Sequence, residues 1–508
     1  MNNQNLYLRF AGERFRHAAD RPFLITPGRD PLNYAELDAA TGRLQSRLQQ
    51  LGVTPGERVM VQVDKSYEAI LLYLACLRAG AIYIPLNTAY TAAEVEYFMR
   101  DATPRVVVCR LSAQAELTPI AEAAGVPHLL TLDSQGGGTL MEGVSRLEAQ
   151  PAVVERQSDD LAAILYTSGT TGRSKGAMLS HGNLQSNAEV LHDYWRWRDG
   201  EDVLLHALPV FHVHGLFVAL HCALLGASTV HFLPRFELGE ILEHLPRCTV
   251  MMGVPTFYTR LLESPEFSAE LCANMRLFIS GSAPLLAETH RQFEARTGHR
   301  ILERYGMTEA GMITSNPYDG ERVAGTVGFA LPGVSVRIAD DDGNELPRGQ
   351  TGMLEVKGPN VFKGYWQMPE KTASEFRPDG WFITGDLAVM DEEGRVSIVG
   401  RAKDLIISGG YNIYPKEIEN EIDAIPGVKE SAVIGVPHPD FGEGVVAVVV
   451  EDGSRRLTAG DILEPLQGRL ARFKQPKQVH FVPELPRNTM GKVQKSQLRE
   501  TYRTAFSG

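Results

Sequence analysis

Several features that would assign a chain quickly are missing here. No C-x-x-C pair occurs, and Cys76, Cys109, Cys222, Cys248 and Cys272 are scattered singly. That excludes a zinc ribbon or a disulfide framework and suits buried thiols in a reducing compartment. His212 and His214 lie two apart with no matching pair elsewhere, so Cys/His metal-ligand spacing is absent. Positive charge is in deficit, with 50 Lys and Arg against 62 Asp and Glu and a net charge of -12. This argues against a nucleic-acid binder and against an anionic membrane surface. The N-terminus, MNNQNLYLRF, lacks a basic region followed by an apolar core, so no secretory signal is visible. The longest apolar run, Ile70 to Leu86, is broken by Arg78 and Gly80 and reads as a buried helix and strand rather than a membrane span. The expected location is cytoplasmic. Internal repeats are absent, and SQGGGT at 134–139 is the one glycine-rich tract.

What is present is a long α/β pattern. A chain of 508 residues exceeds one ordinary core, and 44% hydrophobic with 22% charged residues is the composition of a globular protein. Up to about 160, helix-periodic and strand-like segments alternate. Tyr34 to Leu51 reads as a helix stopped by Gly52, Arg58-Val-Met-Val-Gln-Val as a strand, Tyr67 to Gly80 as a helix and Ala81 to Leu86 as the next strand. Strands separated by helices imply parallel sheets with crossovers. From about 325 short β runs with Gly, Pro and Asp turns take over, and residues 404–508 read as a small α+β domain. The fold class expected is α/β: a large N-terminal domain of two α/β subdomains plus a β-rich subdomain, and a small α+β C-terminal domain.

The centre of the pattern is Leu161 to Leu184. An apolar strand, LAAIL, runs directly into Tyr-Thr-Ser-Gly-Thr-Thr-Gly-Arg-Ser-Lys-Gly at 166–176. Glycines let backbone N–H groups curl into a nest, hydroxyls add donors and cations neutralise phosphate. The loop is not a Walker A motif, because Gly169 and Gly172 are too close and Gly176 follows Lys175. Three further strand-to-loop junctions follow, at 208–215, 251–256 and 276–284, and a fourth at 301–309. Ligands gather at the carboxyl ends of such strands.

Taken in order, YTSGTTGRSKG (166–176), YGMTE (305–309), TGD (384–386), GRAKDLIISGGYNIYPKEIE (400–419) and PRNTMGK (486–492) resemble the adenylate-forming superfamily of acyl-CoA synthetases, firefly-type luciferases and peptide-synthetase adenylation domains. The resemblance spans nearly the whole chain. One departure is Ser174, where the family usually has proline. Within the superfamily, LPVFHVHGLFVALH (208–221), MMGVPTFYTRLL (251–262), LFISGSAPLL (277–286) and ERYGMTEAGMITSNPYDGERVAGTVG (303–328) look most like malonyl-CoA synthetases.

The resemblance implies an AMP-binding domain over 1–400, a hinge at 401–403 with Lys403 at the hinge position, and a mobile C-terminal domain over 404–508. It implies ATP, Mg²⁺ and CoA, with malonate activated as malonyl-adenylate and then passed to the CoA thiol, and methylmalonate tolerated. The alternative is another small carboxylic or dicarboxylic acid. Thr167, Ser168, Gly169, Thr170, Thr171, Gly172 and Lys175 would hold the β- and γ-phosphates. Gly281, Ser282, Ala283, Glu303, Arg304, Tyr305, Gly306 and Met307 would line the nucleotide site, Thr308 would donate to the α-phosphate, and Asp386 and Arg401 would bind the ribose. Glu309 would ligate Mg²⁺. Lys492 would bridge the reacting carboxylate and the α-phosphate. Ser408, Gly409 and Gly410 would pass the CoA arm. His212, Val213, Ser280 and Met312 would shape the acid pocket, with Arg260 expected to clamp the second carboxylate bidentately. The terminal motif also resembles sites where protein lysine acetyltransferases silence this family, which names such an enzyme as a partner acting on Lys492.

Overall fold

The computed structural model describes residues 3–150, 152–167, 174–408, 411–467, 469–488 and 491–506. Two sheets build the first part of the chain. In the six-stranded sheet the order is His128–Thr131, Val106–Cys109, Arg58–Gln62, Ile82–Pro85, Leu161–Thr167 and Lys175–Ser180. All neighbours run parallel except the last pair, which is antiparallel and joins the two ends of the 166–176 loop. In the nine-stranded sheet, Thr229–Phe232, Val203–His206, Val250–Gly253, Leu277–Ser280 and Leu302–Met307 run parallel in that order.

Between these sheets lies the helix Tyr67–Ala79, every residue of which is buried. Its sequence, YEAILLYLACLRA, is apolar apart from Glu68 and Arg78, which are buried in ion pairs with Arg29 and Asp38, as a helix covered on every side requires. The Ser66 side chain caps its start, accepting from the Ala69 N–H, and Gly80 ends it in the left-handed conformation at φ +67°.

A four-stranded antiparallel sheet, Ser335–Ala339, Gly352–Lys357, Phe382–Met390 and Val396–Arg401, forms the β-rich region. The C-terminal part has its own sheet around the long hairpin Val428–His438 and Gly442–Glu451, with helices Pro415–Asp423 and Ala459–Leu466 against it. Among the described residues no helix is long and apolar enough to cross a membrane.

Two consequences matter for the site. Parallel strands deliver Thr167, His206, Gly253, Ser280 and Met307 to one side of the molecule. The C-terminal part is folded over that side: Gly491 lies against Thr256, and Lys429 pairs with Glu263 at 3.1 Å.

Candidate active site

Strand alternation sorts the residues of Leu302–Met307. Successive side chains leave a strand on opposite faces. Glu303 and Tyr305 therefore share one face and Arg304 takes the other. Tyr305 donates its hydroxyl proton to Asp386, and Asp386 receives Arg401 at 2.8 Å from the next strand, where the two residues are direct cross-strand partners. Asp386 is buried, so this is no solvated surface pair. The Glu303 carboxylate is turned away to His290, at 3.6 Å, and to the Gly325 N–H, at 3.2 Å.

Arg304 points the opposite way. A Cβ placed on Gly281 would fall 2.3 Å from its Cζ, so the guanidinium lies directly across the Gly281 turn. It is 4% exposed, and among the described residues its Nε and Nη2 find no hydrogen-bond partner. Burial pulls it below the usual arginine range. A buried charge without a counter-ion is costly unless a ligand supplies one. Around it stand Ser280, whose buried Oγ is also unpartnered, and His214, whose Nδ1 lies 3.2 Å from Ser282 Oγ and whose Nε2 is unpartnered. Ser282 holds φ +71°, a strained conformation for a residue with a side chain and one that concentrates at functional turns.

His212 completes this face. Burial first, then the charges of Lys492 and Arg304, push its imidazole down to about 3, so it is neutral at working pH and offers hydrogen bonds rather than charge. The coupling also places Lys492, from the C-terminal part, at the same site. The Lys492 ammonium is lowered by burial and then by Arg401, and it is favoured by Asp386 and Glu309.

The structure does not bring Arg260, the expected clamp, to this group of residues. Arg260 lies on the exposed side of helix Pro255–Glu263, its guanidinium 5.8 Å from the Phe236 ring. A solvated arginine gains little from pairing. Arg304, expected at the nucleotide, is the arginine that stands with His212, His214 and the Gly281 turn. Alternation along Glu303-Arg304-Tyr305 was the signal that could have separated them.

Val213, Thr308 and Gly311 line a cavity of about 10 Å³ together with Asn187 and Phe217. That is room for about one water. Met312 is buried behind it, pinned by Asn187, whose Nδ2 donates to the Met312 carbonyl and whose Oδ1 accepts its N–H. Gly306 is required at this hairpin, because a Cβ there would meet the Gly311 carbonyl at 2.2 Å.

On the phosphate side, Thr167 and Lys175 flank the loop, while Ser168 to Arg173 lie outside the described residues, as do Gly409 and Gly410. Ser174, in place of proline, offers its carbonyl to the Tyr97 hydroxyl at 2.9 Å. The buried Glu309 carboxylate lies 3.0 Å from the Tyr365 hydroxyl, whose one proton is shared with the nearer Glu375 at 2.6 Å, and this leaves lone pairs on Glu309 free for a hard cation. Among the described residues no cluster of three or more His, Cys, Asp or Glu could hold a metal alone. The fit is to Mg²⁺ held by one carboxylate, waters and phosphate oxygens. Lys403 is exposed in the turn Ala402–Asp404, and Ser408 is buried at the end of its strand, paired with Tyr411.

One supporting pair had no local signature. Lys65 is half-buried and donates to His206 Nδ1 at 2.8 Å, to the His206 carbonyl at 3.0 Å and to the Leu208 carbonyl at 2.9 Å. His206 in turn reaches the Gly215 carbonyl through Nε2 at 2.9 Å. Both ends of the segment carrying His212 and Val213 are thus tied to one ammonium. Lys65→Met should raise the acid's KM by about tenfold, the loss expected for charge-assisted bonds, and leave the ATP KM in place. Initial-rate kinetics with each substrate varied checks this.

The family model for the AMP-binding enzyme matches residues 12–366, and that for the AMP-binding enzyme C-terminal domain matches 417–492. This chain is an AMP-binding enzyme. Mitochondrial malonate–CoA ligase of Mus musculus is 38% identical over 486 residues, 88% of this chain and 82% of that one. A feruloyl-CoA synthase of Amycolatopsis is 37% identical over 94% of this chain and 95% of its own length. ATP-bound MatB from Rhodopseudomonas palustris is 57% identical, with TM-score 0.96 over 99% of this chain and 100% of that one. The apo form of MatB gives 0.86 over the same coverage. The structure here thus superposes more fully on the ATP-bound form than on the apo form. ATP and CoA are the substrates of an AMP-forming acid–CoA ligase of this kind.

Proposed function

We propose that this AMP-binding enzyme activates malonate to malonyl-adenylate and transfers the malonyl group to CoA, releasing AMP and pyrophosphate. The observation that carries the reading is Arg304, a buried guanidinium with free donors, on the acid side of the nucleotide turn. Percentage identity alone does not choose the acid, since malonate and ferulate ligases stand at 38% and 37%. Another small carboxylic or dicarboxylic acid remains the second reading.

In the first step a carboxylate attacks the α-phosphorus, so anion meets anion and catalysis is positional and electrostatic. Arg304 holds the distal carboxylate, with Ser280 and neutral His212 as further donors. Lys492 draws the reacting carboxylate and the α-phosphate together, and Thr308 donates to the latter. Lys175 and the 167–172 loop hold the β- and γ-phosphates, and Asp386 with Arg401 holds the ribose. Mg²⁺ at Glu309 would neutralise phosphate charge. Pyrophosphate leaves, and the thiol of CoA then displaces AMP.

Lys492 serves only the first step. Ser408 is buried at the end of its strand in this arrangement, and the C-terminal part rotates about Lys403 between steps to present the Ser408–Gly410 segment to CoA. Lys403→Pro is expected to lose thioester formation far more than pyrophosphate exchange; equal loss of both would remove the hinge. Acetylation of Lys492 by a protein lysine acetyltransferase would cancel its charge, and mass spectrometry after incubation with such an enzyme tests that. The assay for the reading itself is ATP- and CoA-dependent AMP formation with malonate, methylmalonate, acetate, succinate and a fatty acid. Malonate should give the highest kcat/KM; preference for the fatty acid would overturn it.

A further inference from the structure

Glu375 has no place in the mechanism above, yet three groups converge on it. Lys175 Nζ lies 3.2 Å from its Oε1 and 4.2 Å from the centre of the Tyr365 ring. Lys371 Nζ lies 2.7 Å from the same oxygen, one helical turn away at the end of Pro369–Ser374. The Tyr365 hydroxyl donates to Oε2 at 2.6 Å. Lys175 and Glu375 are both half-buried.

We propose that Glu375 is a positioning residue that stands in for triphosphate, holding the Lys175 ammonium until ATP arrives, and that Lys371 is the counter-ion that lets it be released. Of the three contacts on Glu375, that to Lys175 is the longest. When phosphate draws Lys175 away, the carboxylate keeps Lys371 and the Tyr365 hydroxyl, so no half-buried charge is stranded. Without Lys371, the same transfer would leave Glu375 with a hydroxyl alone. Lys175 would then be held harder, and ATP would compete against a stronger internal anion. The reverse step gains as well, because Glu375 recaptures Lys175 as pyrophosphate leaves.

This rests on the reading that Lys175 binds phosphate. Lys175→Met tests that separately, since an unchanged ATP KM there would remove the reading and not the stand-in alone. The stand-in is tested by a cycle of Lys371→Met, Glu375→Gln and the double variant, each assayed for ATP KM, for kcat and for product inhibition by pyrophosphate, with thermal melting as the folding control. Lys371→Met should raise the ATP KM about fivefold, a coupling ordinary for contacting charged groups, with kcat retained. In the Glu375→Gln background the same change should have no effect. Glu375→Gln alone should not raise the ATP KM, and it should strengthen pyrophosphate inhibition. An equal rise from Lys371→Met in both backgrounds would show that Lys371 meets phosphate itself. A Glu375→Gln rise matching that of Lys371→Met would make Glu375 a fixed support for Lys175. No rise in Lys371→Met would remove its role as counter-ion. Each of these would overturn the proposal.

Discussion

Lys492→Ala should slow acid-dependent exchange of pyrophosphate into ATP by about three orders of magnitude, the upper range for loss of one electrostatic donor. Conversion of supplied acyl-adenylate to thioester should continue. The residue comes from the C-terminal part, yet its charge is felt by His212, and it feels Arg401, Asp386, Glu309 and Arg304. Gly491 beside it lies against Thr256. Only the folded-over arrangement brings these groups together, so the defect should be confined to the step that uses that arrangement. Equal loss of both half-reactions would sink the assignment.

The same site gives a pH expectation with a definite sign. Burial lowers the Lys492 ammonium below its ordinary value. The charged form is the useful one, so adenylation should be complete below the folded pKa and fall as pH rises through it. The fall should therefore begin on the acid side of where a solvated lysine would titrate. Lys492→Arg, which does not deprotonate in this range, should flatten the alkaline limb at reduced rate. His212 contributes nothing there, because it is neutral from about 3 upward.

Much of this architecture was legible from residue order. The largely apolar segment Tyr67–Ala79 was read as a buried helix, and LAAIL before the glycine loop as a short buried strand, and both are found. Asp386 and Arg401 were named as a pair, and their strands place them opposite one another. Relations between distant segments were not legible. Lys175 meets Glu375 across 200 residues, and Lys65 meets His206 across 141. No periodicity encodes such contacts. Arg260 misled because a helix has an outer face, and the segment 251–262 does not state which turn of Pro255–Glu263 looks inward. The packing of Phe257, Tyr258 and Leu261 settles that, and it leaves Arg260 outside.

That distinction yields a sharp test. Arg304→Leu should lower kcat/KM for malonate by about a hundredfold to a thousandfold, the cost of stripping one partner from a buried charge pair. Acetate, which has no second carboxylate, should lose little, so the ratio between the acids is the readout. Arg304→Lys should recover only part of the malonate activity, because an ammonium cannot hold a carboxylate through two parallel bonds. The ATP KM should stay in place, since Arg304 lies on the face of its strand opposite Tyr305 and the ribose-side pair. Arg260→Leu, on the exposed face, should leave malonate turnover within error of the parent. If Arg304→Leu depressed malonate and acetate alike and raised the ATP KM, the guanidinium would belong to the nucleotide, and the acid would have to be recognised by His212 and Ser280 without a buried cation.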